Sequence, residues 1–243
     1  MAKPTEKNPV KGVKTARAAK AGSAAKTSKT AGAVKSARHA AAASLRDEVL
    51  TLKRDRILYE AANLFFERGY LQTSVDAIAE TLGATKPFVY YHFASKADLL
   101  VEICERGTSD ALAATELAMT GKATALQRYE TFVREFTRVA LQNHVLVAIY
   151  FREEFNLPEE AAERIWAMRK LIHRKLQNLL AEGAESGEFD IDDPGLSALV
   201  IAGMSSYAFA WYTGKGQLTQ EKVTEHIVRL ALKLVQKTVP AYA

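Results

Sequence analysis

The sequence predicts an all-α fold in which a small N-terminal helical domain precedes a larger helical domain. Apolar residues recur every three or four positions in most segments after residue 44, and this period is that of an amphipathic helix. No segment alternates apolar and polar residues between turn residues, so no strand is predicted. With 243 residues, of which 48% are hydrophobic, the chain can bury one or two ordinary cores.

The first 44 residues differ from the rest in composition. They consist mainly of Lys, Ala, Ser, Thr and Gly and contain no aromatic residue. Residues 1–46 carry a net charge of +10, so residues 47–243 hold −5 of the total of +5. Such a segment cannot bury enough apolar surface to offset the entropy of ordering, and residues 1–44 are predicted to be a disordered basic tail. A solvated charge run and a DNA-associating tail both fit this composition.

Signals for export and membrane insertion are weak. The first forty residues contain no apolar run, so no secretory signal is predicted. Residues 195–214 lack charge over a length that can span a bilayer, but their serines and the lack of a second such segment favour a buried helix. The mean hydropathy of −0.12 predicts a soluble protein. The single cysteine, Cys104, excludes an internal disulfide and fits a reducing cytoplasm.

Two helices open the ordered part of the chain. The first is predicted over residues 45–68 and ends at Gly69, a usual C-terminal cap. The second is predicted over residues 75–82, with Thr73 or Ser74 capping its start. Each has an apolar stripe, formed by Ile57, Ala61, Leu64 and Phe65 in the first and by Val75, Ile78, Ala79 and Leu82 in the second.

The next helix is short and is predicted over residues 86–93. Thr85 stands at its N-cap position, and Pro87 is tolerated in the first turn because the amides there have no helical partner. Ser95 and Asp98 resemble a capping box for the helix that follows. The longer helices are predicted at residues 96–119, 123–142, 144–155, 158–186, 193–213 and 219–238.

Two short helices joined by residues 83–85 form the pattern of a helix-turn-helix. Gly83 suits the sharp turn, while Val89 and Phe93 lie four residues apart and can both face the core. A lysine, tyrosine hydroxyls and ring edges suit DNA phosphates and bases, and Lys96 can bind a further phosphate. The residues left to face outward are Lys86, Phe88, Tyr90, Tyr91 and His92.

At these residues the sequence resembles the TetR family of bacterial repressors. The matching elements occur in order as Thr73-Ser74-Val75, Ile78-Ala79, Leu82-Gly83, Thr85-Lys86, Val89-Tyr90, His92-Phe93, Ser95-Lys96 and Asp98-Leu99-Leu100. The resemblance implies a DNA-binding domain over residues 45–100 and a helical effector-binding and dimerisation domain over residues 101–243. The predicted DNA-binding residues are Thr73, Ser74, Thr85, Lys86, Pro87, Phe88, Tyr90, Tyr91, His92 and Lys96.

The sequence departs from the family pattern at two positions of the short helix. Pro87 stands where many members have a small residue such as Gly, and Phe88 stands where a small hydroxyl residue is common. The base-contact pattern, and with it the operator sequence, therefore does not carry over from those members.

The function that follows from the resemblance is sequence-specific transcriptional repression in the cytoplasm. Two subunits place their recognition helices in successive major grooves of a palindromic operator, and a small-molecule effector changes their spacing. One alternative is an architectural DNA-binding protein without an effector. The second alternative is a helical enzyme. It is disfavoured because the histidines are scattered along the sequence and no cofactor or metal motif is present.

Aromatic residues in the larger domain indicate where an effector binds. They lie on helices that can enclose an apolar pocket, although plain core packing explains them equally well. Arg152 and Arg169 can pair with an anionic group, which suggests a hydrophobic carboxylate or an acyl-coenzyme A. Phe132 belongs to the same aromatic group. The predicted effector-binding residues are Phe136, Phe151, Arg152, Phe155, Trp166, Arg169, Tyr207 and Trp211.

The last two helices are predicted to form a homodimer. The charge-free segment at residues 195–213 offers more apolar surface than one small domain can hide. Small residues on it would let helices approach closely, and a second apolar stripe follows. The residues named for this interface are Ala198, Ala202, Ser205, Ile227, Leu230 and Leu234.

Overall fold

The computed structural model describes residues 21–212, 214 and 217–236, with the backbone alone for residues 21–44. Over these residues the chain forms nine α-helices, two short 3-10 turns and no strand. The predicted all-α fold is therefore confirmed. The chain divides into two units between Lys53 and Arg54.

The first helix, α1, spans Ala21–Arg68. The predicted start at Leu45 is wrong, because the helix includes residues 21–44, which were expected to be disordered. This segment is rich in alanine, the residue with the highest helix propensity. Residues 1–20 of the predicted tail lie outside the described residues. Gly69 ends α1 with a φ of 88°, a backbone conformation that favours glycine.

Three helices follow α1 within one residue of their predicted bounds. They are α2 (Val75–Thr81), α3 (Lys86–His92) and α4 (Lys96–Met119). Side chains of these helices and of α1 enclose one apolar core. Its fully buried members include Ile57, Phe65, Ile78, Val89, Leu99, Leu100 and Ile103.

The remaining helices form the larger part of the fold. Their bounds are α5 (Ala125–Gln142), α6 (His144–Glu153), α7 (Glu159–Glu185), α8 (Pro194–Ser206) and α9 (Gln220–Val235). Helices α6 and α8 end in the 3-10 turns Glu154–Asn156 and Tyr207–Ala210, earlier than predicted. A second core lies between α5, α7, α8 and α9. It includes Tyr129, Phe132, Val133, Leu141, Leu176 and Leu180.

Several residues predicted for a dimer interface instead pack inside their own chain. Ala198, Ser205 and Ile227 are buried, and Ala202 is half-buried. Leu230 and Leu234 are exposed on α9, and α8 exposes its own apolar row at Leu196, Leu199 and Val200. The small residues of α8 therefore allow close packing within the chain, while its larger aliphatic residues face outward.

None of the helices in the described part of the chain is both long and apolar enough to cross a membrane. Helix α8, which carries much of the uncharged segment, spans only Pro194–Ser206. This is shorter than the roughly 20 residues that a membrane-spanning helix needs.

Candidate DNA interface and ligand cavity

The turn between α2 and α3 has the geometry of a helix-turn-helix. Gly83 adopts a φ of 63°, which lets the chain reverse direction directly after α2. The amide of Gly83 donates to the Glu80 carbonyl at 3.0 Å, and the amide of Ala84 donates to the Ala79 carbonyl at 2.9 Å. These bonds fix where α3 begins relative to α2.

Helix α3 buries one residue and exposes the opposite face. Val89 is buried, and Phe93 at the C-cap is buried beside it. Tyr90 and Tyr91 are 43% and 76% exposed, and Pro87 is also exposed. The exposed face thus carries two phenol groups, which can donate to or accept from a nucleic acid.

Lys86, on the first turn of α3, is paired with α2. Its Nζ atom lies 2.7 Å from Oδ2 of Asp76, and both side chains are exposed. The hydrogen bond to Asp76, followed by the attraction between the charges, raises the pKa of Lys86. Lys86 therefore stays charged at neutral pH, and its ion pair can open to a phosphate at little cost because surface pairs are weak.

Phe88 does not face outward as predicted. It is half-buried and packs against the core of the helix-turn-helix, with its ring 5.1 Å from that of His92. His92 is also half-buried. A large apolar ring at this position gains more from the core than from water, which explains the departure from the predicted orientation.

Thr73 and Ser74 make contacts within the protein. Thr73 is buried, and its hydroxyl donates to the Gly69 and Leu64 carbonyls at 2.8 and 3.2 Å. Ser74 caps α2, since its Oγ accepts from the Ala77 amide at 3.1 Å. Thr85 takes the N-cap position of α3, but its exposed hydroxyl makes no capping bond and can reach a phosphate.

Lys96 also bonds to the protein. Its Nζ donates to the carbonyls of Tyr70 and Thr73 at 2.9 and 3.0 Å, and it lies 4.3 Å from the centre of the Tyr70 ring. These contacts hold the segment before α2 against the start of α4. Lys96 thus has a structural role within the protein, and its contact with a DNA phosphate stays a prediction.

A cavity of about 570 Å³ lies among α4, α5, α6, α7 and α8. This volume is in the range of small-molecule sites. Four predicted effector residues line it, namely Phe136, Phe151, Trp166 and Arg169. Sequence reasoning missed other lining residues, among them Tyr150, Lys170, His173, Leu199 and Gly203.

The other predicted effector residues do not line the cavity. Phe132 is buried in the core of the larger domain. Phe155 is 94% exposed in the turn after α6, and Tyr207 and Trp211 are exposed beyond α8. Aromatic composition alone therefore did not separate cavity residues from core and surface residues.

Basic groups of α7 lie at the cavity wall. Arg169 donates to the Tyr150 hydroxyl at 2.6 Å, and its guanidinium lies 4.8 Å from the Tyr150 ring centre. Lys170 lies 4.8 Å from the Trp166 ring centre, and His173 bonds to the Gly195 carbonyl at 3.1 Å. Their spacing along one helix is a signal from which the cluster could have been found.

Cys104 contributes a thiol to the same wall. Burial, followed by the nearby charges of Glu153 and Glu105, raises the pKa of Cys104 to about 12. The thiol therefore stays protonated at neutral pH and acts as a small apolar group.

Arg152 lies at the junction between α6 and the end of α1, away from the cavity. Its Nη1 donates to the Phe66 carbonyl at 3.0 Å, its Nη2 donates to the Phe65 carbonyl, and its Nε lies 3.2 Å from Oε1 of Glu153. In this position Arg152 caps the C-terminal carbonyls of α1 and does not line the cavity, and its binding to an effector stays a prediction.

Glu153 completes this junction. The carboxylate is buried, and its Oε1 accepts from the Tyr70 amide at 3.2 Å. Its Oε2 accepts from Nδ2 of Asn156 at 2.9 Å. The backbone of Tyr70 is thus held on both sides: its N–H donates to Glu153, and its C=O accepts from Lys96. These bonds connect the end of α6 to the segment that leads into α2.

Both parts of the chain match known protein families. Residues 57–103 match the family described as bacterial regulatory proteins, tetR family. Residues 122–235 match the family described as tetracyclin repressor-like, C-terminal domain. The match at residues 57–103 includes all of α2 and α3.

Similar proteins have been characterised in several bacteria. The HTH-type transcriptional repressor KstR2 of Mycobacterium tuberculosis is 30% identical over 189 residues, which cover 76% of this chain and 94% of the relative. The structure of PfmR from Thermus thermophilus, a TetR family transcriptional regulator, is 29% identical with a TM-score of 0.69, covering 75% of this chain and 100% of that chain.

A second similar structure contains bound ligands. It is AibR in complex with isovaleryl coenzyme A and operator DNA, 25% identical with a TM-score of 0.63, covering 74% of this chain and 98% of that chain. The exposed α3 of a helix-turn-helix, the two matched domains and the similarity to KstR2 agree. The chain belongs to the TetR family of bacterial transcriptional regulators.

Proposed function

We propose that the protein is a homodimeric transcriptional repressor that binds a palindromic operator and is released by a small-molecule effector. The observation that carries the proposal is the exposed face of α3, on which Lys86, Tyr90 and Tyr91 stand clear of the core. In a dimer, two such faces enter successive major grooves. Lys86 and the tyrosines then contact phosphates and base edges.

The proposed effector is an acyl-coenzyme A or a related hydrophobic carboxylate. The cavity offers an apolar interior for the acyl group, while Arg169, Lys170 and His173 offer positive or hydrogen-bonding groups for the thioester's phosphates or for a carboxylate. The complex of AibR with isovaleryl coenzyme A supports this class, since that protein is similar over most of its length.

The junction between α6 and α1 supports a route from the cavity to the DNA-binding helices. Tyr150 and Phe151 line the cavity on α6, and the next two residues, Arg152 and Glu153, bond to the end of α1 and to Tyr70. A ligand that displaces α6 therefore pulls on the segment before α2. The factor by which the effector lowers operator affinity cannot exceed the factor by which it binds the displaced state more tightly than the DNA-binding state.

The test is a selection of bound fragments from random DNA, followed by competition with a panel of acyl-coenzyme A thioesters of increasing chain length. We expect one preferred palindrome and release from it at micromolar effector. The effector should also raise the melting temperature, because it binds only the folded protein. Release by a cationic drug and by no thioester would reject the effector class.

Two arginine variants of α7 refine this test. Arg169→Met removes a cavity cation, whereas Arg174→Met removes an exposed cation of the same helix that does not line the cavity. We expect both variants to bind the operator and only Arg169→Met to lose the response to the effector. DNA binding without sequence preference that falls steeply with salt would instead favour an architectural protein.

A further inference from the structure

Helix α3 is held weakly along its own length. It has seven residues, of which Val89 alone is buried. Phe88 is half-buried against the same core, so two neighbouring side chains near the middle of the helix fix its distance from the core but do little to limit its tilt. Its orientation must then depend on the contacts at its two ends, and readout of base edges tolerates errors of only about 0.5 Å and 10–20°.

At the C-terminal end of α3, a side chain of α1 makes several such contacts. Nη1 of Arg54 donates to the His92 carbonyl, the last of the helix, and Nη2 donates to Oε2 of Glu102 on α4. The guanidinium carbon lies 4.2 Å from the centre of the buried Phe93 ring. Arg54 thus contacts the end of α3, its capping residue and α4 at the same time.

We propose that Arg54 is a positioning residue for operator recognition. It fixes the angle at which α3 presents Tyr90 and Tyr91, and so it determines sequence specificity through His92 and Phe93. This inference rests on the proposed function, because it assumes that α3 reads the operator.

The contacts require arginine in particular. A planar guanidinium can donate from two nitrogens in fixed directions and stack its face on an aromatic ring at once. A lysine ammonium can keep the ion pair with Glu102, but it is a compact group on a flexible stem, without the planar face that stacks on Phe93 and without two nitrogens that donate in fixed directions. Arg54→Lys therefore keeps the charge and loses the geometry.

A neighbouring ion pair provides a matched control. Arg106 of α4 bonds to Asp55 of α1 at 2.7 Å, so it joins the same two helices as Arg54 and Glu102. Its side chain is 48% exposed, compared with 39% for Arg54. No contact of the Arg106 guanidinium with α3 is present among the described residues. Arg106→Met removes the same charge without touching α3.

The experiment compares the full-length protein with its Arg54→Lys, Arg54→Met and Arg106→Met variants at one salt concentration. The affinities for the selected operator and for a scrambled duplex are measured, together with the melting temperature. We expect the ratio of the two affinities to fall at least about tenfold in both Arg54 variants. The ratio in Arg106→Met should stay within about threefold of the parent.

Hydrogen exchange of the α3 amides gives a readout that does not need DNA. We expect faster exchange at residues 88–93 in the Arg54 variants than in Arg106→Met. An unchanged affinity ratio with unchanged exchange would overturn the proposal. The proposal would also be overturned if affinity fell equally for both duplexes and in proportion to the fall in melting temperature. A residue that only stabilises the fold gives that result. If the parent protein shows no sequence preference but the Arg54 variants still exchange faster, operator recognition is rejected and the positioning role of Arg54 stands.

Discussion

Lys86 and Tyr90 lie on the exposed side of α3, where a side chain can be removed without opening a cavity. Lys86 pairs with Asp76 on α2, and because an exposed ion pair is weak, a DNA phosphate can replace Asp76 as its partner.

The first prediction concerns these two side chains. Lys86→Ala or Tyr90→Ala should weaken operator binding by about tenfold each and leave the melting temperature nearly unchanged, because both side chains are exposed. Lys122→Ala is the control, since it removes an exposed charge from the loop before α5. Fluorescence anisotropy with labelled operator measures the effect. Parent-like binding of both variants would show that another face contacts DNA.

The second prediction concerns Lys96. Its ammonium bonds to two carbonyls and lies on the Tyr70 ring, so Lys96→Met should lower the free energy of unfolding by about 1.5–3 kcal/mol. Urea denaturation of this variant and of Lys122→Met measures the difference. If Lys96→Met unfolds like the parent but binds all DNA more weakly, Lys96 is a phosphate contact after all.

At the scale of elements, periodicity and caps predicted most helices closely. Helix α4 has the predicted bounds, and α2 and α3 end one residue early. The start of α1 was missed because alanine-rich sequence carries no apolar stripe, although its helix propensity is high. The cavity was predicted only in part. Periodicity shows which face of a helix is apolar, but which helices meet depends on packing that one sequence does not reveal.

Arg152 illustrates this limit. Its charge and its place beside Phe151 suggested a ligand contact, but the side chain extends to the carbonyls of Phe65 and Phe66, nearly ninety positions earlier in the chain. Arg169 had the same signal in the sequence and does line the cavity. The two arginines differ in their long-range hydrogen bonds, and no local sequence pattern predicts such bonds.

The third prediction tests the junction formed by α6. Glu153→Gln removes the charge that holds Tyr70, so it should leave effector affinity within about threefold and reduce the effector's influence on operator affinity. Glu163→Gln, at an exposed position of α7, is the control. Titration calorimetry gives the effector affinity, and anisotropy gives the release. An unchanged release would place the coupling elsewhere.

At the scale of the whole molecule, α8 and α9 expose apolar side chains that a second copy can cover. Leu196, Leu199 and Val200 lie on one face of α8, and Leu230 and Leu234 lie on α9. Large exposed apolar patches often mark an interface, and these rows are the surface that we expect a second copy to cover. A stable dimer would bury more than about 1,200 Å² in total.

The fourth prediction is that Val200→Glu converts the dimer into a monomer. Val200 is 54% exposed, and Leu117 on α4 is 61% exposed, so Leu117→Glu introduces the same charge on a different surface. Sedimentation at micromolar concentration should show a monomer for the first variant and a dimer for the second. A parent that sediments as a folded monomer would reject the proposed homodimer.

The fifth prediction concerns the basic segment. Removal of residues 1–44 takes away ten Lys and Arg residues and leaves every described core residue in place. We expect lower DNA affinity, a shallower dependence on salt and an unchanged sequence preference, because counterion release is independent of sequence. Binding measured over a salt series tests this. A truncated protein that fails to fold would show that the segment is structural.

The backbone of Tyr70 is held at its N–H by Glu153 and at its C=O by Lys96, and this has a thermodynamic consequence. If effector and operator favour different positions of this backbone segment, each must weaken the binding of the other by the same factor. A repressor that is bound to its operator then has a lower affinity for the effector than the free protein has. The factor is the same as that by which the effector weakens DNA binding. The effector concentration needed for induction therefore rises with the quality of the operator, and a single protein can release weak operators before strong ones.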